Sequence, residues 1–168
     1  YYFDRGYWKN KVTFKIDSIG NKRGKVTYMI NTGIVYTIDS LGREIETPKI
    51  DSLYLSQEQK SFIKPNESYS YSNFDNEKKR ITKQFRNSGV YHFQENYVKF
   101  DAIQNDKDHK LGVVLKIEDR TVKIEDQLVK TPFTIYKISE VNIFTNSNSR
   151  KIRNQVNDSI KYKGYNFY

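Results

Sequence analysis

The residues best suited to acid–base or metal chemistry are few and scattered. His92 and His109 are the only imidazoles, the side chain whose ordinary titration falls nearest neutral pH. His92 follows the step Gly89-Val90-Tyr91 and His109 sits beside a polar hairpin turn, and both read as surface or packing residues rather than bases. Asp106 and Asp108 alternate as calcium ligands do, but their loop lacks the remaining oxygen ligands and the glycine that such a loop needs. The chain carries no Gly-rich phosphate loop, no G-x-S-x-G and no H-E-x-x-H. With no cysteine, disulfides, zinc–thiolate sites and cysteine nucleophiles are excluded together. The expectation is a non-enzymatic chain that needs no cofactor and no metal.

Charge and rings suggest a different chemistry. A net charge of +9 with 14 Tyr and 10 Phe would suit a nucleic-acid binder, cations on phosphates and rings on bases. The basic residues, however, are spread along the chain among many acids. The largest cluster, Lys78, Lys79, Arg80, Lys83 and Arg86, falls on one expected helix and reads as a solvated face. A basic nucleic-acid-binding domain is therefore the alternative reading and no nucleic acid is expected; a hydrolase is a distant third.

The elements that must position these residues repeat. Val12, Phe14 and Ile16 alternate with Lys11, Thr13, Lys15 and Asp17, and after the turn Gly20 to Gly24 the residues Val26, Tyr28 and Ile30 alternate again, which predicts a hairpin with one apolar face. Tyr36 and Ile38 begin a third strand. The same order returns in Val98, Phe100 and Ala102, the turn Asn105 to Asp108, and Leu111, Val113, Leu115 and Ile117; Tyr136, Ile138 and Val141 then read as a further strand. Between the copies, Ile50 to Phe62 is compatible with a short helix carrying Ile50, Leu53, Gln57 and Lys60 on successive turns. A second helix is expected over 75–88, with Asp75 as N-cap, Glu77 in the first turn, Ile81 and Phe85 as an apolar i,i+4 pair and Gly89 at the C′ position. Each hairpin follows a glycine–aromatic step, Gly6-Tyr7-Trp8 and Gly89-Val90-Tyr91, with the glycines 83 residues apart (89 − 6).

The fold class expected is α+β in tandem units, each β-α-α-β-β with a three-stranded sheet covered by two helices. This order, with a helix running into Arg86-Asn87-Ser88-Gly89-Val90-Tyr91, resembles the POTRA domains of outer-membrane protein assembly factors of the BamA/TamA superfamily, and looks closest to the TamA-like branch. On that likeness, residues 1–34 form the last hairpin of a preceding unit, 35–130 a complete unit, and 131–168 the first strand and an insertion of a following one. The polar stretch from Thr145 to Arg150 onward would be that insertion in the unit's first strand, with Ser159 to Phe167 returning as a hairpin partner. The start at Tyr1-Tyr2-Phe3, without Met, reads as an internal piece of a longer protein.

The resemblance implies a binding scaffold at the periplasmic face of a Gram-negative outer membrane. Its partners would be unfolded outer-membrane clients and assembly-complex subunits, and the parent protein would be anchored through a C-terminal barrel. Such domains hold polypeptides by strand addition to an open sheet edge. The edge expected here is Tyr97 to Ile103, carrying Lys99 and Asp101, with Lys11, Thr13 and Lys15 as its counterpart in the preceding unit. Gly6, Trp8, Gly89 and Tyr91 are expected as structural joints. Four Asp-Ser-aliphatic triplets, at Ser18, Ser40, Ser52 and Ser159, resemble an acceptor pattern for bacterial O-glycosylation; chance, or a turn or cap, explains Asp-Ser equally well.

Overall fold

Alternation with a period of two makes Leu111, Val113, Leu115 and Ile117 one face of a strand, and all four are buried. The computed structural model describes residues 1–144 and 159–167. It is a mixed α+β chain that divides into two compact units, Tyr1–Thr134 and Ile135–Tyr168.

The first unit begins with a 3₁₀ turn, Phe3–Arg5, then strands β1 (Lys11–Ser18) and β2 (Gly24–Asn31), which among the described residues pair only with each other. Next come β3 (Thr37–Ile45), helix α1 (Pro48–Leu55), helix α2 (Tyr71–Asn87), β4 (Val98–Asn105) and β5 (Lys110–Ile117). These form a sheet of order β3-β5-β4, in which β5 is central, parallel to β3 and antiparallel to β4. A short hairpin, β6 (Arg120–Ile124) and β7 (Gln127–Thr131), closes the unit. The second unit contains β8 (Asn142–Ile143), β9 (Ile160–Tyr162) and β10 (Tyr165–Phe167) in the order β8-β10-β9.

The core joins the inner sheet face to the helices. Ile50 and Tyr54 from α1, Ile81 and Phe85 from α2, and Val98, Leu115 and Ile117 from the sheet form one cluster with Val90, Phe93 and Phe133. Ile38, Ile63, Phe74, Leu111 and Val113 form a second. Complete burial of a side chain of this kind is worth about 1.5–3 kcal/mol, so the sheet, with only one inner face, depends on both helices.

Several expectations change. Helix α1 stops at Leu55 and the chain resumes as a 3₁₀ turn at Glu58–Lys60; Ile50 and Tyr54 are its buried pair, while Lys60 is exposed. Helix α2 begins four residues earlier than expected, because an added first turn carries Phe74 into the core; its N-cap is Ser70, and Asp75 lies inside the helix, paired with Lys79 at 2.5 Å. Arg80 does not belong to the solvated face, since its guanidinium is turned inward onto Glu77. The strand expected from Tyr136 through Val141 is absent, leaving only Asn142–Ile143; Tyr136 and Ile138 are exposed and give that stretch no buried face. Thr121 to Thr131, for which no element was expected, lies in a hairpin turning through Glu125 and Asp126 at φ 46° and 66°. The expected insertion at Thr145 to Arg150 lies outside the described residues; Ser159 to Phe167 folds as its own hairpin, β9 and β10, and β10 meets β8 in parallel rather than as a hairpin partner.

Candidate polypeptide-binding edges and their joints

Helix α2 ends in a Schellman arrangement. The Gly89 N–H reaches Arg86 O at 3.1 Å and the Val90 N–H reaches Phe85 O at 2.9 Å, with Gly89 at φ 92°. This turn drops Val90 and Phe93 into the core. Phe93 stands 5.2 Å from the Phe133 ring and Tyr97 stands 5.1 Å from it. Tyr91, expected to fill the joint, is 70% exposed, and Phe93 occupies that place instead.

The joint at Gly6 is built on the same plan. Gly6 has φ 82° and its O accepts from Tyr36 N–H at 3.0 Å; a Cβ there would meet Tyr69 Cβ at 3.1 Å and Tyr36 O at 3.2 Å. Trp8 stacks on Tyr36 at 4.6 Å and packs edge-on against Tyr69 at 4.9 Å. The Tyr36 hydroxyl donates to Asp106 Oδ1 at 2.5 Å, Gln104 Nε2 donates to the same carboxylate, and Lys9 lies 3.4 Å from Asp106 Oδ2. The Tyr36 bond above all, then the Gln104 bond, holds the Asp106 carboxyl below the usual aspartate range. Asp106 is therefore occupied as a joint residue. Among the described residues no cluster of three or more His, Asp or Glu side chains is placed to hold a metal ion. His109 stands 5.3 Å from the Tyr36 ring and His92 5.1 Å from that of Tyr91.

Within this frame β4 is an edge strand, paired with β5 alone among the described residues. Lys99, Asp101 and Ile103 share its outer face, whereas Tyr97 lies in the preceding 3₁₀ turn Glu95–Tyr97 and packs on Phe93 and Phe133. Lys116 on β5 bonds Asp101 at 2.8 Å and Glu44 on β3 at 3.1 Å, and these two contacts raise its ammonium above the ordinary lysine range. Lys99 reaches Glu118 at 3.5 Å, so the outer face is a ladder of charges. The main-chain polarity of the edge follows from two bonds: Ile117 O accepts from Glu46 N–H and His109 O from Thr37 N–H. Alternation then turns the odd residues of β5 toward β3 and the even ones toward β4. Their β4 partners Lys99, Asp101 and Ile103 thus spend their main-chain groups on β5, and those of Phe100, Ala102 and Gln104 face the free edge.

The hairpin β1–β2 presents a second edge. Lys11, Thr13 and Lys15 line one face, with Lys15 bonded to Asp17 at 2.8 Å. On the other face Val12 opposes Ile30, Phe14 opposes Tyr28 and Ile16 opposes Val26, and all six are exposed.

Ser18, Ser40, Ser52 and Ser159 are exposed, but their settings differ. Ser52 sits inside α1 and donates to Pro48 O at 3.1 Å, and Ser40 lies in β3 beside Gly112.

Sequence reasoning missed a cavity of about 450 Å³ under the opposite edge. It lies between β3 and the segment 58–65, walled by Leu41, Ile63, Phe100, Val113 and Leu115, with Tyr54 and Glu77 at its helical side. Burial, reinforced by the nearby carboxylates of Glu77 and Glu58, pushes the Tyr54 phenol up to about 12. Only the sequence Leu41-Gly42-Arg43, a glycine inside a strand, hinted at an opening there.

No family model matches the sequence, and no curated protein matches it. Among solved structures, the chain is similar to the crystal structure of Haemophilus influenzae BamA POTRA3-5, with 13% identity, 88% of this chain and 52% of that one covered, and a TM-score of 0.42. It is also similar to the crystal structure of BamA from Haemophilus ducreyi lacking POTRA domains 1–3, with 15% identity, coverage of 71% and 21%, and a TM-score of 0.44. The chain spans about half the length of the first and a fifth of the second.

Proposed function

We propose that this chain is a non-catalytic, protein-binding scaffold built of POTRA-like units from an outer-membrane protein assembly factor, in the TamA-like branch of the BamA/TamA superfamily. In this reading residues 35–130 are a complete unit, 1–34 the closing hairpin of one before it and 131–168 the opening of one after it. It works at the periplasmic face of a Gram-negative outer membrane, beside a C-terminal barrel, and holds unfolded clients or assembly-complex subunits by strand addition.

The observation that carries the reading is the β4 edge. It is eight residues long and, among the described residues, paired on one side only, and Lys99 and Asp101 on its outer face are charges of the kind that discourage indiscriminate pairing. The sheet around it has three strands with the second strand of the unit at an edge, in keeping with the resemblance. O-glycosylation at the four serines is part of the proposal; all four are exposed, and Ser18 ends strand β1.

The test is a proline on the free edge. A proline at Lys99 would strike the β4–β5 ladder, so Ala102, exposed and with its N–H turned outward, is the correct position. Ala102→Pro is expected to weaken capture of an unfolded outer-membrane polypeptide at least tenfold with an unchanged circular dichroism spectrum. Capture at the native level by the folded variant would refute the β4 edge. Intact mass spectrometry of the native protein showing no added hexose would dispose of the glycosylation.

A further inference from the structure

The free edge of β3 is already partly used by the chain itself. Ile38 N–H donates to Glu67 O at 2.9 Å, Asn66 N–H donates to Ile38 O at 2.7 Å, and Thr37 bridges Ser68 in antiparallel fashion. This miniature added strand stops at Pro65, which has no N–H to give, and at Asn66, whose φ of 65° turns the backbone away. A bulge in β3 follows, between Ile38 and Ser40. Beyond it the edge has no added strand among the described residues. Glu46 N–H points at β5, so by alternation Gly42 and Glu44 do as well, and the main-chain groups of Leu41, Arg43 and Ile45 point outward. No main-chain bond from another segment reaches these three among the described residues.

The cavity lies on the side of β3 to which Leu41 and Arg43 turn, since both line it. Its volume, about 450 Å³, falls in the range of pockets that enclose a ligand group, about 300–1,000 Å³. Arg43 is pinned across α1 by Asp51 at 2.7 Å, which keeps its guanidinium at the rim. Leu41, Ile63, Phe100, Val113 and Leu115 make the walls apolar, and the Glu77 carboxylate is spent on Arg80 and Phe62 N–H.

We propose that β3 from Leu41 to Ile45 is a second strand-addition site, with the cavity beneath it receiving one large apolar side chain of the added strand. The occupant is an extended polypeptide, because only a strand offers donors and acceptors that repeat at the spacing of Leu41, Arg43 and Ile45. In such a pairing the residue opposite Leu41 or Arg43 turns its side chain to their face, over the cavity. The site continues the ladder that Asn66 to Ser68 begin. It rests on the polypeptide-holding role proposed above, but it moves side-chain selectivity from β4, whose outer face is a ladder of charges, to β3.

The experiment uses the native chain and fluorescein-labelled octapeptides of alternating Thr and Lys, with Phe, Leu or Ser at one central position, read by anisotropy. The Phe and Leu peptides are expected to bind at least tenfold more tightly than the Ser peptide. N-methylation of alternate backbone amides in the Phe peptide is expected to abolish binding. Leu41→Arg is expected to remove the preference for Phe over Ser, and Ala102→Pro to leave it intact. Equal binding of the Phe and Ser peptides overturns the pocket, and undiminished binding of the N-methylated peptide overturns strand addition at this site. If Ala102→Pro removes binding and Leu41→Arg does not, the β4 reading stands and this one falls. If no peptide binds, both fall. The peptide arms need no variant, so the proposal stays open to refutation should Leu41→Arg fail to fold.

Discussion

Arg80 lies flat against Glu77 one turn before it on α2, with Nη2 2.6 Å from Oε1 and Nε 2.8 Å from Oε2. Glu77 is 1% exposed, and it also accepts the Phe62 N–H at 3.0 Å. Arg80 continues to Gln84 Oε1 at 2.9 Å, and Gln84 Nε2 donates to Leu53 O at 2.5 Å. One ion pair thus ties α2 to the segment behind the cavity and to α1. Removing one partner leaves an unpaired buried charge, at a cost of about 3–5 kcal/mol. Arg80→Met is expected to lower the urea midpoint accordingly, and Glu77→Leu with Arg80→Met to restore most of it. A single variant with an unchanged midpoint would show that the pair holds nothing.

Gly89 is needed for its backbone, which it holds at φ 92°. A left-handed conformation costs a side-chain-bearing residue about 1–2 kcal/mol, so Gly89→Ala should destabilise the first unit by that amount. Gly24→Ala is the control: its φ lies outside the left-handed region and the nearest neighbours of an added Cβ are at 3.7 Å. Equal denaturation midpoints for the two variants would contradict the cap.

Tyr54 predicts an alkaline transition. Its phenol titrates at about 12 in the folded chain against about 10 when unfolded. The folded state therefore holds the proton more tightly, so the stability tied to it is complete below pH 10 and is lost as pH rises from 10 toward 12. Difference absorbance at 295 nm between the native chain and Tyr54→Phe should show one phenol ionising in that upper window. Ionisation of that phenol near pH 10 would count against its burial.

Much of the sheet was legible because its signals are local. Leu111 to Ile117 alternate without interruption, Ile81 and Phe85 mark a helix face, and Gly89 marks its end. The start of α2 was not legible, since Ser70 to Phe74 look like a polar turn until Phe74 finds Phe100, 5.1 Å away and distant in sequence. The cavity was invisible for the same reason, its walls being drawn from β3, α1, α2, both other strands and a loop. Tyr91 was mistaken for Phe93 because spacing fixes where a joint lies but not which neighbouring ring turns inward. A period of two does not tell which alternate residues bond inward, so pattern alone could not choose Ala102 over Lys99 for an edge proline.

Phe133 has a consequence for how the chain comes to be folded. It is 4% exposed, packed on Phe93 and Tyr97, with its N–H on Thr47 Oγ1 at 3.1 Å, yet it follows the last sheet strand by sixteen residues (133 − 117). A nascent chain that has released β5 still has an open end in its core. Closure must wait for Phe133, near the end of the first unit. Release of β5 therefore does not complete the first unit, and a ribosome stalled just after Ile117 should hold a sheet that a protease can still enter.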